Sequence, residues 1–213
     1  RRTRTRPRIR TRNRFRNCSR AIRLRAVFHR VRYRGGLNVE RLLSNPHLDA
    51  RAEPPLTTET NAALIERWRA AWPAALEAWS AYTLLRDPRF FESQKEAGHD
   101  GMQNQIAAIR LRDHAVMINV AEIEKLGLEA HALAILAHEI GHHVYVPGNL
   151  TDNARLIASM ARILAGLQKD TVYLAANLYG DLLINDRLEH RARVDMAGVY
   201  RVLAQRVAGA TTA

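Results

Sequence analysis

The chain has 213 residues, 33 of them basic and 21 acidic, with a formal net charge of +12. This length is sufficient to bury a core without disulfides, and a single cysteine, Cys18, excludes an intramolecular disulfide framework. The sequence has no apolar run long enough for a transmembrane helix and no signal-like segment, so we expect a cytoplasmic protein that does not enter a membrane.

Basic residues are concentrated at the start of the chain. The first 34 residues hold 15 of the 33 basic residues and no acid, which leaves 18 basic against 21 acidic residues in the rest. Such a segment repels itself and buries nothing, so residues 1–36 are expected to be a disordered tail. Two interpretations stay open: a basic arm that binds nucleic acid through its phosphates, or a segment that is not natively translated because translation starts at Leu37.

The following elements are predicted in chain order, within one domain at residues 37–207. Residues 57–87 have helical spacing of apolar residues, with Pro73 predicting a kink or two short helices and with the tryptophans in the core. Residues 88–105 are interpreted as a loop. The alternating pattern of residues 106–120 predicts one or two short strands with a turn at residues 112–114.

Residues 129–146 are apolar on nearly every side, which predicts a buried helix. This helix contains His138, Glu139 and His142 in the order H-E-x-x-H. Two histidines four residues apart lie on one face of a helix and can share one metal ion, while the adjacent carboxylate can accept a proton from water. The sequence therefore predicts His138 and His142 as metal ligands and Glu139 as a general base.

A catalytic zinc site takes three protein ligands, so a third is expected downstream. After a helix at residues 151–167, expected to pack beside the motif helix, residues 171–193 predict a long helix in which Asp181 interrupts an apolar stripe. Asp181 is the preferred third ligand and Glu189 its rival. Asp186 is interpreted as part of a solvated salt-bridge network. Asn177 and Asn185 lie four residues before and after Asp181, and they are expected to orient its carboxylate.

The HEIGHH segment, together with an acidic ligand on a following helix, resembles the zincin metallopeptidases over residues 105–195. Within that clan, residues 177–186 are similar to a helix of bacterial metallopeptidases found with MoxR-type ATPases and von Willebrand A domain proteins. The resemblance implies an α+β, mostly helical fold with a small sheet before the motif helix. It also implies zinc bound by His138, His142 and Asp181, with Glu139 as the base.

The expected function is hydrolysis of a peptide or protein substrate by metal-activated water. The residue that stabilises the oxyanion is left open among four candidates: His143, Tyr145, Tyr179 and His190. Two alternatives remain: a catalytically silent scaffold of an ATPase assembly, and nucleic-acid binding through the Arg-rich tail. The final helix is expected to reach about Val207, with residues 208–213 forming a disordered end or a linker.

Overall fold

The structure is a computed structural model that describes residues 60–102 and 104–211, without the side chains of residues 207–211. The Arg-rich tail and the domain start expected at residue 37 lie outside the described residues. The described chain is mostly helical with one three-stranded sheet, which confirms the expected α+β class. Among these residues, no helix has both the length and the apolar character needed to cross a bilayer.

The first helix, α1, spans Asn61–Glu77. It begins where the Thr60 hydroxyl oxygen accepts a hydrogen bond of 3.3 Å from the backbone N–H of Ala63. Pro73 lies inside this single helix rather than dividing it into two, and the helix ends well before residue 87. Trp68 and Trp72 are buried in the main core, as predicted.

The sheet consists of β1 (Arg89–Phe91), β2 (Ala107–Arg110) and β3 (Ala115–Asn119), in the order β1–β3–β2. Strand β1 is parallel to β3, whereas β2 is antiparallel to it. The two strands and turn predicted at residues 106–120 are confirmed, and β2 lies at one edge of the sheet.

The prediction of a loop at residues 88–105 is wrong, because this segment contains β1 and a short helix, α2 (Gln94–His99). The Ser93 hydroxyl oxygen accepts from the N–H of Glu96, and the Glu96 carboxylate accepts from the N–H of Glu92. This Ser-x-x-Glu pattern is a helix-start signal that the composition of the segment concealed. Phe91 anchors β1 in a small second core cluster.

The motif helix, α4 (Ala132–Val144), follows α3 (Val120–Leu126) and a 3-10 turn at Glu129–His131. All of its residues from 134 to 142 are buried, which confirms the prediction of a core helix. It packs against α1, β2 and the later helix α6 (Lys169–Arg187).

Helix α5 (Leu150–Ile163) packs on α6 rather than beside the motif helix, contrary to the prediction. It lies mostly at the surface, and only Asn153 among its residues is buried. The long helix expected at residues 171–193 is α6 followed by a π-helical turn at Leu188–Ala192, which ends where Arg193 adopts a positive φ of 58°. The last helix, α7 (Met196–Thr211), continues beyond Val207.

Candidate metal centre

Three predicted ligands meet in the interior of the protein. Oδ1 of Asp181 lies 3.3 Å from Nε2 of His142 and 3.6 Å from Nε2 of His138. The two Nε2 atoms are 3.3 Å apart. Helix α4 supplies both histidines from one face, α6 supplies the carboxylate, and all three side chains are buried, so this group could hold a metal ion.

The other nitrogen of each histidine ring is held by a hydrogen bond. Nδ1 of His142 donates to the backbone carbonyl of Val146 at 3.0 Å. Nδ1 of His138 donates to Oδ1 of Asn185 at 2.8 Å. With the ring proton on Nδ1, each neutral imidazole directs an Nε2 lone pair toward Asp181, and this is the tautomer that binds a metal through Nε2.

The spacing of the three ligand atoms fits a small divalent cation. Zinc bonds of about 2.0–2.1 Å in a tetrahedron separate the ligand atoms by about 3.3–3.4 Å. The observed separations of 3.3, 3.3 and 3.6 Å are close to this value. Among the described residues the group offers two imidazoles and one carboxylate, and a tetrahedral zinc with three protein ligands has a fourth position for a non-protein ligand.

Burial disfavours the charged form of each titratable side chain at this site, and it therefore shifts the pKa values of Glu139, His142 and His138. Burial raises the pKa of Glu139 to about 8, and the nearby Asp181 carboxylate adds to the rise. Burial lowers the pKa of His142. At His138 burial also acts to lower the pKa, but the hydrogen bond and charge of Asp181 outweigh it and raise the pKa.

Glu139 is fully buried one position round the helix from the ligand face. The backbone of Ile109 in β2 lies near its carboxylate and acts to lower the pKa of Glu139, against the larger effect of burial. The predicted base therefore lies between the metal ligands and the edge strand of the sheet.

The rival ligands lie elsewhere. Glu189 is in the π-helical turn, where its carboxylate accepts a hydrogen bond of 3.2 Å from the backbone N–H of Ala197. Asp186 lies at the surface, where its Oδ1 is 3.3 Å from Nδ1 of His190, in the solvated surroundings that the sequence predicted. The sequence pattern thus distinguished the buried acid, Asp181, from the acids that follow it.

The role expected for Asn185 needs correction, whereas the role expected for Asn177 stays a prediction. Asn185 does not orient the Asp181 carboxylate, because its side-chain oxygen accepts from His138 and its amide donates to the Tyr200 hydroxyl at 2.6 Å. The amide therefore links α7 to a candidate metal ligand on α4. Asn177 lies at a cleft beside His142.

Gly141, inside the motif, allows two bulky side chains to approach α4. A Cβ at this position would lie 2.6 Å from Cζ2 of Trp79 and 2.8 Å from Cγ2 of Ile184. Trp79 also donates from Nε1 to the backbone carbonyl of Ala137 at 2.7 Å. The absence of a side chain therefore serves packing around the motif helix.

A narrow cleft reaches the candidate metal site at His142. One wall belongs to β2 and the turn after it, and the opposite wall belongs to α5, α6 and the loop after α4. Within the part of the chain that the structure describes, no Asp, Glu, Lys or Arg lines it. The lining residues are Ile109, Leu111, His142, Pro147, Asn153, Asn177 and Gly180.

None of the four candidate oxyanion-stabilising residues lines this cleft. The Tyr145 ring lies against Trp79 at 5.8 Å between centroids and beneath the Arg187 guanidinium at 5.0 Å. His143 stacks on His114 of the β2–β3 turn with centroids 3.9 Å apart, and its pKa is lowered by partial burial and by that neighbour. Tyr179 is half-exposed, and His190 pairs with Asp186.

Asn153 lines the cleft but is not among the residues predicted from the sequence. A usable signal was present: Asn153, Ile157, Met160 and Leu164 follow helical spacing, so a polar residue begins the apolar stripe of α5.

Comparisons with protein-family models, with curated proteins and with solved structures found no match to this chain.

Proposed function

We propose that this chain is a zinc-dependent peptidase with a zincin-like fold. The observation that carries the proposal is the convergence of Nε2 of His138, Nε2 of His142 and Oδ1 of Asp181 within 3.6 Å, next to the buried Glu139. Imidazole and carboxylate ligands suit zinc, and three protein ligands are typical of a catalytic zinc.

Hydrolysis in this site follows from the roles of the chain's own residues. A zinc ion at the three ligands would supply a Lewis acid that lowers the pKa of water and polarises a carbonyl. Glu139 takes a proton from the attacking water, whose oxygen bonds to the scissile carbonyl carbon. The same carboxyl then delivers that proton to the departing amine as the C–N bond breaks.

The position of the edge strand supports a peptide substrate. Strand β2 lies at the sheet edge, packs on the motif helix, and places Ile109 both in the cleft lining and near the Glu139 carboxylate. An extended peptide can add to such an edge through main-chain hydrogen bonds. That pairing would bring the scissile bond alongside Glu139.

The test compares wild-type protein with Glu139→Gln on a library of internally quenched peptides. Glu139→Gln is expected to keep one zinc per chain and to lose turnover, because Gln cannot accept the proton. Glu129→Gln, in the 3-10 turn before α4, is the matched control and should cleave like the wild type. An active Glu139→Gln protein would rule out the mechanism.

A catalytically silent scaffold would give a different result in the same experiment. It would contain stoichiometric zinc and cleave no peptide, as expected for a structural component of a MoxR-type ATPase assembly with von Willebrand A domain proteins. The proposal of such partners rests on the sequence resemblance alone.

A second candidate function rests on the charge of the Arg-rich tail, with 15 basic and no acidic residues among the first 34. Nucleic-acid binding through this tail would release counterions and weaken steeply with salt. Filter binding of the full chain to a mixed-sequence RNA or DNA at two salt concentrations tests it. Affinity that does not change with salt would exclude this function.

A further inference from the structure

Helix α5 has an unusual pattern of burial. Its large apolar residues are partly or fully exposed, whereas its one buried residue is a polar one, Asn153, with 6% of its surface exposed. Asparagine is a poor residue for a helix interior, and burying an amide costs free energy unless it is hydrogen-bonded. Packing therefore does not explain the choice of residue.

No hydrogen bond joins the Asn153 side chain to another residue of the described chain, and its amide atoms are not fully enclosed, whereas its backbone N–H donates to the Asn149 carbonyl at 3.0 Å. Its side chain lines the cleft together with His142, Gly180 and Ile109. The residue is 6% exposed and lines the cleft beside His142, so an amide without a protein partner in the described chain is available to a ligand that binds in this cleft.

We propose that Asn153 is a substrate-contacting residue, whose carboxamide hydrogen-bonds the main chain of the peptide at the scissile bond. This inference rests on the proposed peptidase function. The amide offers N–H donors toward a carbonyl oxygen, and such donors stabilise the negative charge that develops on that oxygen during acyl transfer. Asn153 would therefore stabilise the oxyanion, the role for which the sequence offered His143, Tyr145, Tyr179 and His190.

The same reasoning predicts an effect on stability that a structural residue would not show. Replacing Asn153 by Leu, of similar size, removes a buried amide and improves helix propensity. The melting temperature of Asn153→Leu and Asn153→Ala should therefore equal or exceed that of the wild type, with one zinc retained per chain. Thr151→Ala, exposed on the same helix and outside the cleft, is the matched control.

Activity and binding are measured on the full chain with the quenched peptide library. Asn153→Leu and Asn153→Ala are expected to reduce kcat/KM by about tenfold or more, since a lost hydrogen bond to a charged transition state costs at least that much. A kcat/KM within about twofold of the wild type would overturn the inference. So would a fall in melting temperature together with loss of zinc, which would make Asn153 structural.

Peptide binding separates failure of this inference from failure of the proposed function. If the zinc-loaded wild type cleaves no library peptide, the peptidase function fails. Fluorescence polarisation with the same peptides then decides the role of Asn153. Binding that is about tenfold weaker for Asn153→Leu supports it, whereas equal binding, or no binding by either protein, overturns it.

Discussion

Oδ1 of Asn185 accepts a hydrogen bond of 2.8 Å from Nδ1 of His138. This bond fixes the ring so that its other nitrogen faces Asp181 and His142. The Asn185 amide donates in turn to the Tyr200 hydroxyl, so a residue of α7 helps to orient a candidate metal ligand on α4. Hydrogen-bond partners of this kind tune the affinity of a metal site.

Removing this hydrogen bond should weaken metal binding without removing a ligand. Asn185→Leu is expected to lower zinc affinity by about 10–100-fold, because His138 loses the bond that orients it. Asn185→Asp keeps an acceptor at the same place and should retain zinc at least as well. Competition with a fluorescent zinc chelator measures both constants, and equal affinity for Asn185→Leu and the wild type would contradict the assignment.

The close packing at Gly141 predicts a stability difference between two glycines. Gly141→Ala places a methyl group 2.6 Å from Trp79 and should destabilise the protein by about 1–3 kcal/mol, the usual effect of overpacking a core. At Gly180 the nearest atom lies 3.7 Å from the added Cβ, so Gly180→Ala should be neutral or stabilising because alanine favours a helix. Urea unfolding of the metal-free proteins measures both. Equal loss in the two variants would show that the contact with Trp79 is not the cause.

Zinc should stabilise the folded protein. An ion that binds only the folded state adds about 2.7 kcal/mol when its concentration is about 100 times the dissociation constant. Addition of zinc after chelation is therefore expected to raise the melting temperature of the wild type. Asp181→Ala, which lacks one ligand, should respond much less. A response of equal size in both proteins would place the bound zinc elsewhere.

The uncharged cleft predicts substrate selectivity. No described Asp, Glu, Lys or Arg lines it, and a charged side chain held there would lose water without gaining an ion-pair partner among the described residues. Peptides with Leu, Ala or Val beside the scissile bond should be cleaved in preference to those with Asp, Glu, Lys or Arg. Position-specific profiling with the quenched library measures the preference. Preferred cleavage beside a charged residue would show that the substrate lies outside this cleft.

Sequence reasoning found the buried acid because Asp181 interrupts an apolar stripe, and an ionised group there needs a cation. The same pattern at Asn153 was overlooked because an uncharged amide gives a weaker signal. The partner of Asn185 was not predictable from spacing, since His138 lies on another helix and the pairing depends on how α4 and α6 cross. Strand β1 is short and depends on its parallel pairing with β3, a long-range contact without a local pattern.

The most direct test of the metal centre is the zinc content of the full chain, measured by mass spectrometry after a zinc-replete preparation. The wild type and Glu189→Ala should contain one zinc per chain, whereas His142→Ala and Asp181→Ala should contain almost none. Absence of zinc from the wild type, or a full zinc content in Asp181→Ala, would contradict a site built from His138, His142 and Asp181.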